Sequence, residues 1–584
     1  MRISPPEQQQ NGCGSVRRLF ALLVTGVVLG CSPQEPETRG TEPRVRLVTT
    51  DQYVNSMRYI FGAGIELRVE FPPFERTEGL LGNSAAFAGI SSSQLEQFQA
   101  AAASVASQVV DPANREFLIP CKPADEHAAD TACATEFLSS VGRLLYRRPL
   151  SGAEVEQFVD SAATGADTLN DFYAGLELAL EAMLLSPDVL FIVDRVDPEP
   201  DRFGHLRVDA YSLASRLSYF LWNAGPDAEL LDAAASGELL TDEGRARAVE
   251  RMLASPRLVD GMRAFFDDMF RFSKFKTLAK DPTIYPQFRN TTAMAAREQT
   301  LRTVIDHLVT EKKSYLDLYT TRSTFMTPEL ATVYEIPSPP GWVPYTATPD
   351  SQRVGLLTQI SFLALHAHPG RSSATLRGAA LRETLLCQEV PPPPPNVDFS
   401  VLNNPDAHYP TQRDRVIAHL ETPSCAGCHL IMDPIGLGLE NFDGEGRFRL
   451  VENGVPIDAS GELDGIPFED ATGLAEAVRD NPALPKCLVK RLYYYSVGGP
   501  TPPGTDRFAM LKYLNREFAE GEYRLHDLLR TIAMSDAFSR ITQPEEAMQQ
   551  TSLPPNVTIR QFALNTRTGA VGDDRAPGEE NQRE

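Results

Sequence analysis

Apolar positions along most of this chain recur every three or four residues, the spacing of amphipathic helices rather than strands. Thr49-Thr50-Asp51 supplies an N-cap cluster ahead of Tyr53, Met57 and Ile60. Phe71-Pro72-Pro73-Phe74 breaks that pattern before a second helix, Leu95 to Val110, which completes a first helical module over 41–110. In a second module, 135–195, Phe137, Val141, Leu144 and Leu145 share one face. Arg147-Arg148-Pro149-Leu150 ends that helix, and Phe172 to Leu185 repeats Leu and Ala at helical spacing. A third module, 206–335, opens where Asp209 can cap a helix carrying Leu213, Leu217, Phe220 and Leu221, stopped by Asn223-Ala224-Gly225-Pro226. Thr241 starts another helix, and the stripe Phe265, Phe266, Met269 and Phe270 reads as core.

The Pro-rich stretch from Ile336 to Pro349 reads as a linker. Helical pattern over 350–388 then leads into Pro391-Pro392-Pro393-Pro394-Pro395, a stiff polyproline spacer inside a fourth module, 350–450. Val451 to Asp470 carries Gly and Asp and is expected to form a small hairpin. Helical spacing returns over 471–540, giving a last module, 456–542, and a polar tail, 545–584, is expected to be disordered. No solenoid-type repeat is present. The expected class is mainly α, several consecutive helical modules with minor β.

At 584 residues the chain exceeds one hydrophobic core, which agrees with several modules. A net charge of -23 repels phosphate backbones, so nucleic acid is not an expected partner. The N-terminus changes the picture more. Arg17-Arg18, the apolar run Leu19 to Leu29, and Gly30-Cys31 have the layout of an export signal, too short to stay as a membrane span. Val28-Leu29-Gly30-Cys31 resembles a bacterial lipobox, so residues 1–30 are expected to be removed and Cys31 to be acylated, leaving the membrane held through a lipid anchor only. The mature net charge is then about -25. A plain secretory signal is the alternative.

Eight cysteines are present. Cys13 leaves with the signal, Cys31 carries lipid, and Cys425 with Cys428 belongs to a C-x-x-C-H motif. The remaining four, in an oxidising compartment, invite two disulfides. The expected pairs are Cys121–Cys133, a local clamp, and Cys387–Cys487, which encloses about 100 residues, a loop for which chain entropy predicts roughly 4–5 kcal/mol.

Ser424-Cys425-Ala426-Gly427-Cys428-His429 is the strongest chemical signal. Two thiols at this spacing form thioethers with the vinyl groups of one haem, and the following histidine falls beneath the iron as proximal ligand. A zinc site would need a second close Cys or His pair, and no second C-x-x-C exists; a thioredoxin-like dithiol belongs in a βαβ context. One covalent haem c is therefore expected on Cys425, Cys428 and His429. Candidates for the opposite face of the iron are His366, His368, Met432, Met510 and Met534. Met432 follows His429 too closely to reach over the ring, and His368 is the candidate chosen.

Several stretches together resemble one exported bacterial family of linked domains of unknown function, the DUF1592/DUF1588 group. They are Tyr146 to Leu150, Leu213-Ala214-Ser215-Arg216-Leu217-Ser218-Tyr219-Phe220-Leu221-Trp222, Arg353 to Thr358, His368-Pro369 and Arg377-Gly378. Cys425 through Asp433-Pro434-Ile435-Gly436, Leu439 to Asp443 and Asp458 to Gly461 complete the set. The resemblance covers the five modules in order, DUF1587-, DUF1595-, DUF1592-, DUF1588- and DUF1585-like, and implies a secreted or surface protein whose C-terminal part is cytochrome c-like. It supports Cys425, Cys428 and His429 as haem-binding and places His368 in the same pattern; Asp433 and Asn441 also match, with structural roles. Gly498-Gly499-Pro500 departs from the Gly-Arg pair usual there.

The leading functional expectation is electron transfer, or the haem-bearing part of a periplasmic or surface oxidoreductase, docking an unidentified redox partner protein. A dihaem peroxidase would need two C-x-x-C-H motifs, and the chain has one. The other class is a surface binding or scaffold protein, for polymers, with a structural haem or none. No Ser-His-Asp elbow, H-E-x-x-H or Gly-rich phosphate loop supports hydrolysis or nucleotide use, and Asp443-Gly444-Glu445-Gly446 is too short for a calcium loop.

Overall fold

Helix starts fall where capping side chains stand. Thr49 accepts from the Gln52 amide while the Gln52 side chain accepts from the Thr49 amide, and this box opens the helix Thr50–Phe61. Asp209 caps Ala210–Trp222 through the Ser212 amide, and Thr241 caps Asp242–Ala254 through the Gly244 amide. These are the caps expected from sequence. The computed structural model describes residues 34–542 except 68, 70, 72–74, 88, 392–408, 422 and 502–504. The signal segment with Cys31, most of the polyproline spacer and the C-terminal tail lie outside the described residues.

Among the described residues the fold is mainly α with four two-stranded antiparallel sheets. Residues from Pro36 onward form one unit. Its apolar side chains divide into two main cores. The first is built from 47–192 with Tyr219, so the first two modules share it. The strand Val45–Leu47 pairs with Phe191–Val193 and closes that half. The second core runs from Val208 to Ile541, with Leu80 of the first module added, and is common to the last three modules; it takes in the expected aromatic stripe, with Phe265, Phe266 and Met269 fully buried.

Two sequence expectations need correction. The stretch from Ile336 to Pro349 is not a free linker: its residues Val343–Thr346 pair with Ser323–Met326 as a sheet. Alternation in Val343-Pro344-Tyr345-Thr346 is too short to stand out among prolines, and the partner strand supplies the order. The segment from Val451 to Asp470 makes two hairpins, Val451–Glu452 with Val455–Pro456 and Gly461–Leu463 with Ile466–Phe468.

Buried arginines hold the modules together. Arg216 is 1% exposed and clasps Asp194 with two hydrogen bonds of 2.9 and 2.7 Å, while its third nitrogen donates to the Phe538 carbonyl, 322 residues away. Burial works against charge on Asp194, yet Arg216 and Arg46 hold its carboxyl below the usual range. Arg147 donates to the carbonyls of Leu145, Asp188, Val189 and Phe191, fastening the end of one helix to the turn of another. Arg353 reaches the carbonyls of Thr358 and Gly446. Arg377, with no exposed surface, donates to those of Leu439, Phe442 and Asp443 at 2.8, 2.7 and 2.6 Å. The 439–443 carbonyls lie outside any helix or named strand, and a guanidinium is the one side chain offering five donors in a plane. Both expected disulfides form: Cys121–Cys133, and Cys387–Cys487 across 100 residues.

Arg377→Met keeps an apolar stem but strips the 439–443 carbonyls of their donors. We expect a loss of about 3–5 kcal/mol in urea unfolding of the protein. A loss below about 1 kcal/mol would show that water replaces the guanidinium there.

Candidate functional site: the C-x-x-C-H helix

The motif occupies the first turns of the helix Pro423–Leu437, which begins on a proline, a residue suited to the first helical position. Cys425 and Cys428 sit one turn apart on it and neither is in a disulfide. The Cys428 sulfur lies 3.8 Å from the carbonyl of Pro391, where the polyproline spacer begins. His429 is four residues before Asp433, and its Nδ1 stands 2.7 Å from Asp433 Oδ2. Asp433 has no exposed surface, and its other carboxylate oxygen is buried without a partner among the described residues. A carboxylate can only accept, so Nδ1 carries the proton and Nε2 is the atom suited to a metal. The His429-x-x-x-Asp433 spacing was visible in the sequence, but the hydrogen bond it makes was not drawn from it.

Residues Ala374–Ala380 form the helix that fixes this one. The two cross through glycines: a Cβ at Gly378 would lie 1.9 Å from the Met432 carbonyl, and one at Gly436 would lie 1.8 Å from the Ala374 carbonyl. Gly378 therefore faces Met432 and Ala374 faces Gly436, so the helices run antiparallel. The motif glycines are where they are because backbone meets backbone. Arg382, just beyond, donates to the Ile431 carbonyl at 2.6 Å.

His368 precedes Ala374 and so enters this pair from the Gly436 end, whereas His429 lies toward the other end. Its carbonyl accepts from Lys280 at 3.2 Å, its backbone bridges to Arg371, and burial with Arg371 and Lys280 nearby lowers its imidazole pKa. Among the described residues no contact joins it to His429. His366 caps the helix Ile360–Leu365 and packs on Phe362, beside a cavity of about 20 Å³, room for one water. Burial, with Lys274, Arg271, Arg377 and Lys280 around it, pushes its pKa down to about 3, so the ring is neutral at any working pH. Met432 is buried on the motif helix; Met510 and Met534 belong to the large core of the last modules.

Sequence reading missed Lys280, whose ammonium gathers the carbonyls of Ala364, Ala367 and His368 and so pins the loop with both histidines. Burial and Arg377 push its pKa down to about 7. It also missed Arg44, which donates to the carbonyls of Gly498 and Pro500 where the Gly-Arg pair is replaced. A Cβ at Gly499 would lie 2.1 Å from Arg44 Nη1, so a guanidinium from the residue just before the strand Val45–Leu47 occupies that place. The Asp443 loop is structural: its Oδ1 accepts from the amides of Glu445, Gly446 and Arg447.

The chain matches five family models in order, each described as a protein of unknown function: DUF1587 over 46–111, DUF1595 over 133–194, DUF1592 over 208–336, DUF1588 over 353–452 and DUF1585 over 464–538. It belongs to the multimodular family built from these domains. The DUF1588 model, which spans the C-x-x-C-H helix, carries the name PSCyt3, a cytochrome-related label. A search of the curated proteins and one of the solved structures returned no match. Among the described residues no helix is long and apolar enough to cross a membrane.

Glu445 gives a pH test of this region. Its side chain is 1% exposed, Gln287 donates to one oxygen, and the other has no partner among the described residues. Burial and then Asp443 push its pKa up to about 7 from 4.5. A raised carboxyl favours the folded state while protonated, so its contribution is full below about 4.5 and lost as pH rises through 7. Thermal melts of Glu445→Gln should therefore show less loss of stability between pH 5 and 7.5 than the parent, by on the order of 1–3 kcal/mol. Equal slopes would mean that Glu445 is already ionised at pH 5.

Proposed function

We propose that this chain is an exported c-type haem protein that acts in electron transfer, or as the haem-bearing part of a periplasmic or surface oxidoreductase, anchored through lipid on Cys31. The observation that carries the reading is the imidazole of His429, oriented by a buried carboxylate beside two cysteines at the start of one helix. The cytochrome-related label of the matching DUF1588 model supports it. The donor set fits: Cys425 and Cys428 would hold the porphyrin by thioethers, and His429 Nε2 would ligate the iron. A bound haem would supply a one-electron couple. Asp433 would hold the ring in one tautomer and orientation and make it a more basic ligand, which favours the oxidised metal. His368 is this reading's candidate for the opposite face. The acidic surface suits a neutral or cationic redox partner protein.

Expression of the full chain in a periplasm competent for c-type maturation should give protein that stains for haem on a denaturing gel and shows a reduced α-band. Cys425→Ala with Cys428→Ala should abolish the stain. Asp433→Asn should retain the stain and raise the midpoint potential by on the order of 50 mV, the equivalent of roughly 1 kcal/mol for one electron. His368→Ala should convert low-spin bands to high-spin ones; unchanged bands would remove His368 from the site. Colourless parent protein would end the redox reading.

A further inference from the structure

A cavity of about 530 Å³, of the size of small-molecule sites, lies between the first and third modules, with Tyr495 of the fifth module in its wall. Nothing in the C-x-x-C-H region accounts for it. Its apolar wall includes Phe71, Phe272 and Tyr495. Its polar wall carries both signs. Asp267 pairs with Arg297 at 2.5 Å, and Asp268 pairs with Arg76 at 2.6 Å while accepting from the amides of Leu81 and Gly82. Asp51, Lys274 and Lys276 also line the cavity. Burial and then Asp267 raise the Asp51 pKa, and burial and then Arg271 lower that of Lys274, so both are held where shedding charge is favoured.

From this lining the geometry points to a binding site for a neutral carbohydrate, a second function carried independently of any haem. Asp267 and Asp268 are neutralised by Arg297 and Arg76, and with Asp51, Lys274 and Lys276 the lining carries a formal net charge of only +1. What remains on offer is paired acceptors and donors on planar groups, which suit vicinal hydroxyls that both give and take hydrogen bonds. The apolar wall of Phe71, Phe272 and Tyr495 suits the C–H side of a pyranose ring. An aliphatic ligand would offer nothing to Arg76 Nη2, which is buried without a partner among the described residues. Asp51 and Lys274 are hydrogen-bonding groups of the polar wall, and Ala264 lines the cavity from the helix Arg257–Met269, where a larger side chain would fill it.

The test is calorimetric titration of the full mature chain with the β-1,4-linked tetrasaccharides of glucose, xylose, mannose and N-acetylglucosamine, with tetragalacturonate and glycine betaine as charged controls. At least one neutral sugar should bind with a Kd between about 10 μM and 1 mM. Asp51→Ala and Lys274→Ala should each weaken it at least about fivefold with unchanged circular dichroism, Ala264→Trp should abolish it, and Lys122→Ala, remote from the cavity, should leave it intact. Binding of none of the four, binding only of a charged control, or binding that survives both Ala264→Trp and Asp51→Ala overturns the assignment. The haem stain of the same preparations reports separately on the redox reading.

Discussion

The molecule depends on guanidinium groups removed from water and spent on backbone carbonyls. Arg147, Arg216, Arg353, Arg377, Arg491 and Arg540 are each at most 7% exposed, and each donates to carbonyls of irregular segments or bridges modules far apart in sequence. Short helices joined by long irregular stretches leave many carbonyls without a partner, and at helix ends the last turn always does. Water would satisfy them at a surface. Inside two shared cores it cannot, so a planar side chain with five donors takes its place. The arrangement carries its own penalty: Arg491 is pushed down to about 10 by burial, and its Nε, like that of Arg377, lacks a partner among the described residues. Such a residue stabilises only while its carbonyls stay in place, which makes the modules mutually dependent.

The same constraint positions the C-x-x-C-H helix. Arg377 is locked from behind by the 439–443 carbonyls, so the residue after it, Gly378, is presented at a fixed height to Met432. Cys387, at the far side of the same segment, is tied to Cys487. The motif helix thus rests on a rigid platform although its own satellite core is only Ala374, Val416, Leu437 and Leu420. Ile435 ties it into the large core, and backbone contact and hydrogen bonds fix its position.

Much of the fold was legible from local chemistry. Caps at Thr49, Asp209 and Thr241 mark helix starts because capping is decided within four residues. The two disulfides agree with the pairs expected from counting the cysteines left over from the other motifs. The strand Val343–Thr346 was not legible, because its partner lies 20 residues upstream and prolines mask the alternation. Lys280 and Arg44 were invisible for a deeper reason: a side chain that donates to distant carbonyls leaves no mark in its own neighbourhood. Of the site, Cys425, Cys428 and His429 were readable as one motif from spacing alone, while the placement of His368 relative to His429 depends on how two helices cross.

The motifs that tie this chain to its family are largely these anchors: Arg147 in Tyr146 to Leu150, Arg216 in the Leu213 to Trp222 stretch, Arg353 and Arg377 with their glycines. Residues whose task is to satisfy carbonyls tolerate little change, since even lysine lacks the planar fork. A resemblance built on them therefore identifies a scaffold and is silent about what the scaffold binds. The cavity at Asp51, Asp267 and Lys274 is assembled from residues outside every one of those motifs. Selectivity can vary there without loosening a single buried arginine, and two chains of this family with the same anchors need not share a ligand.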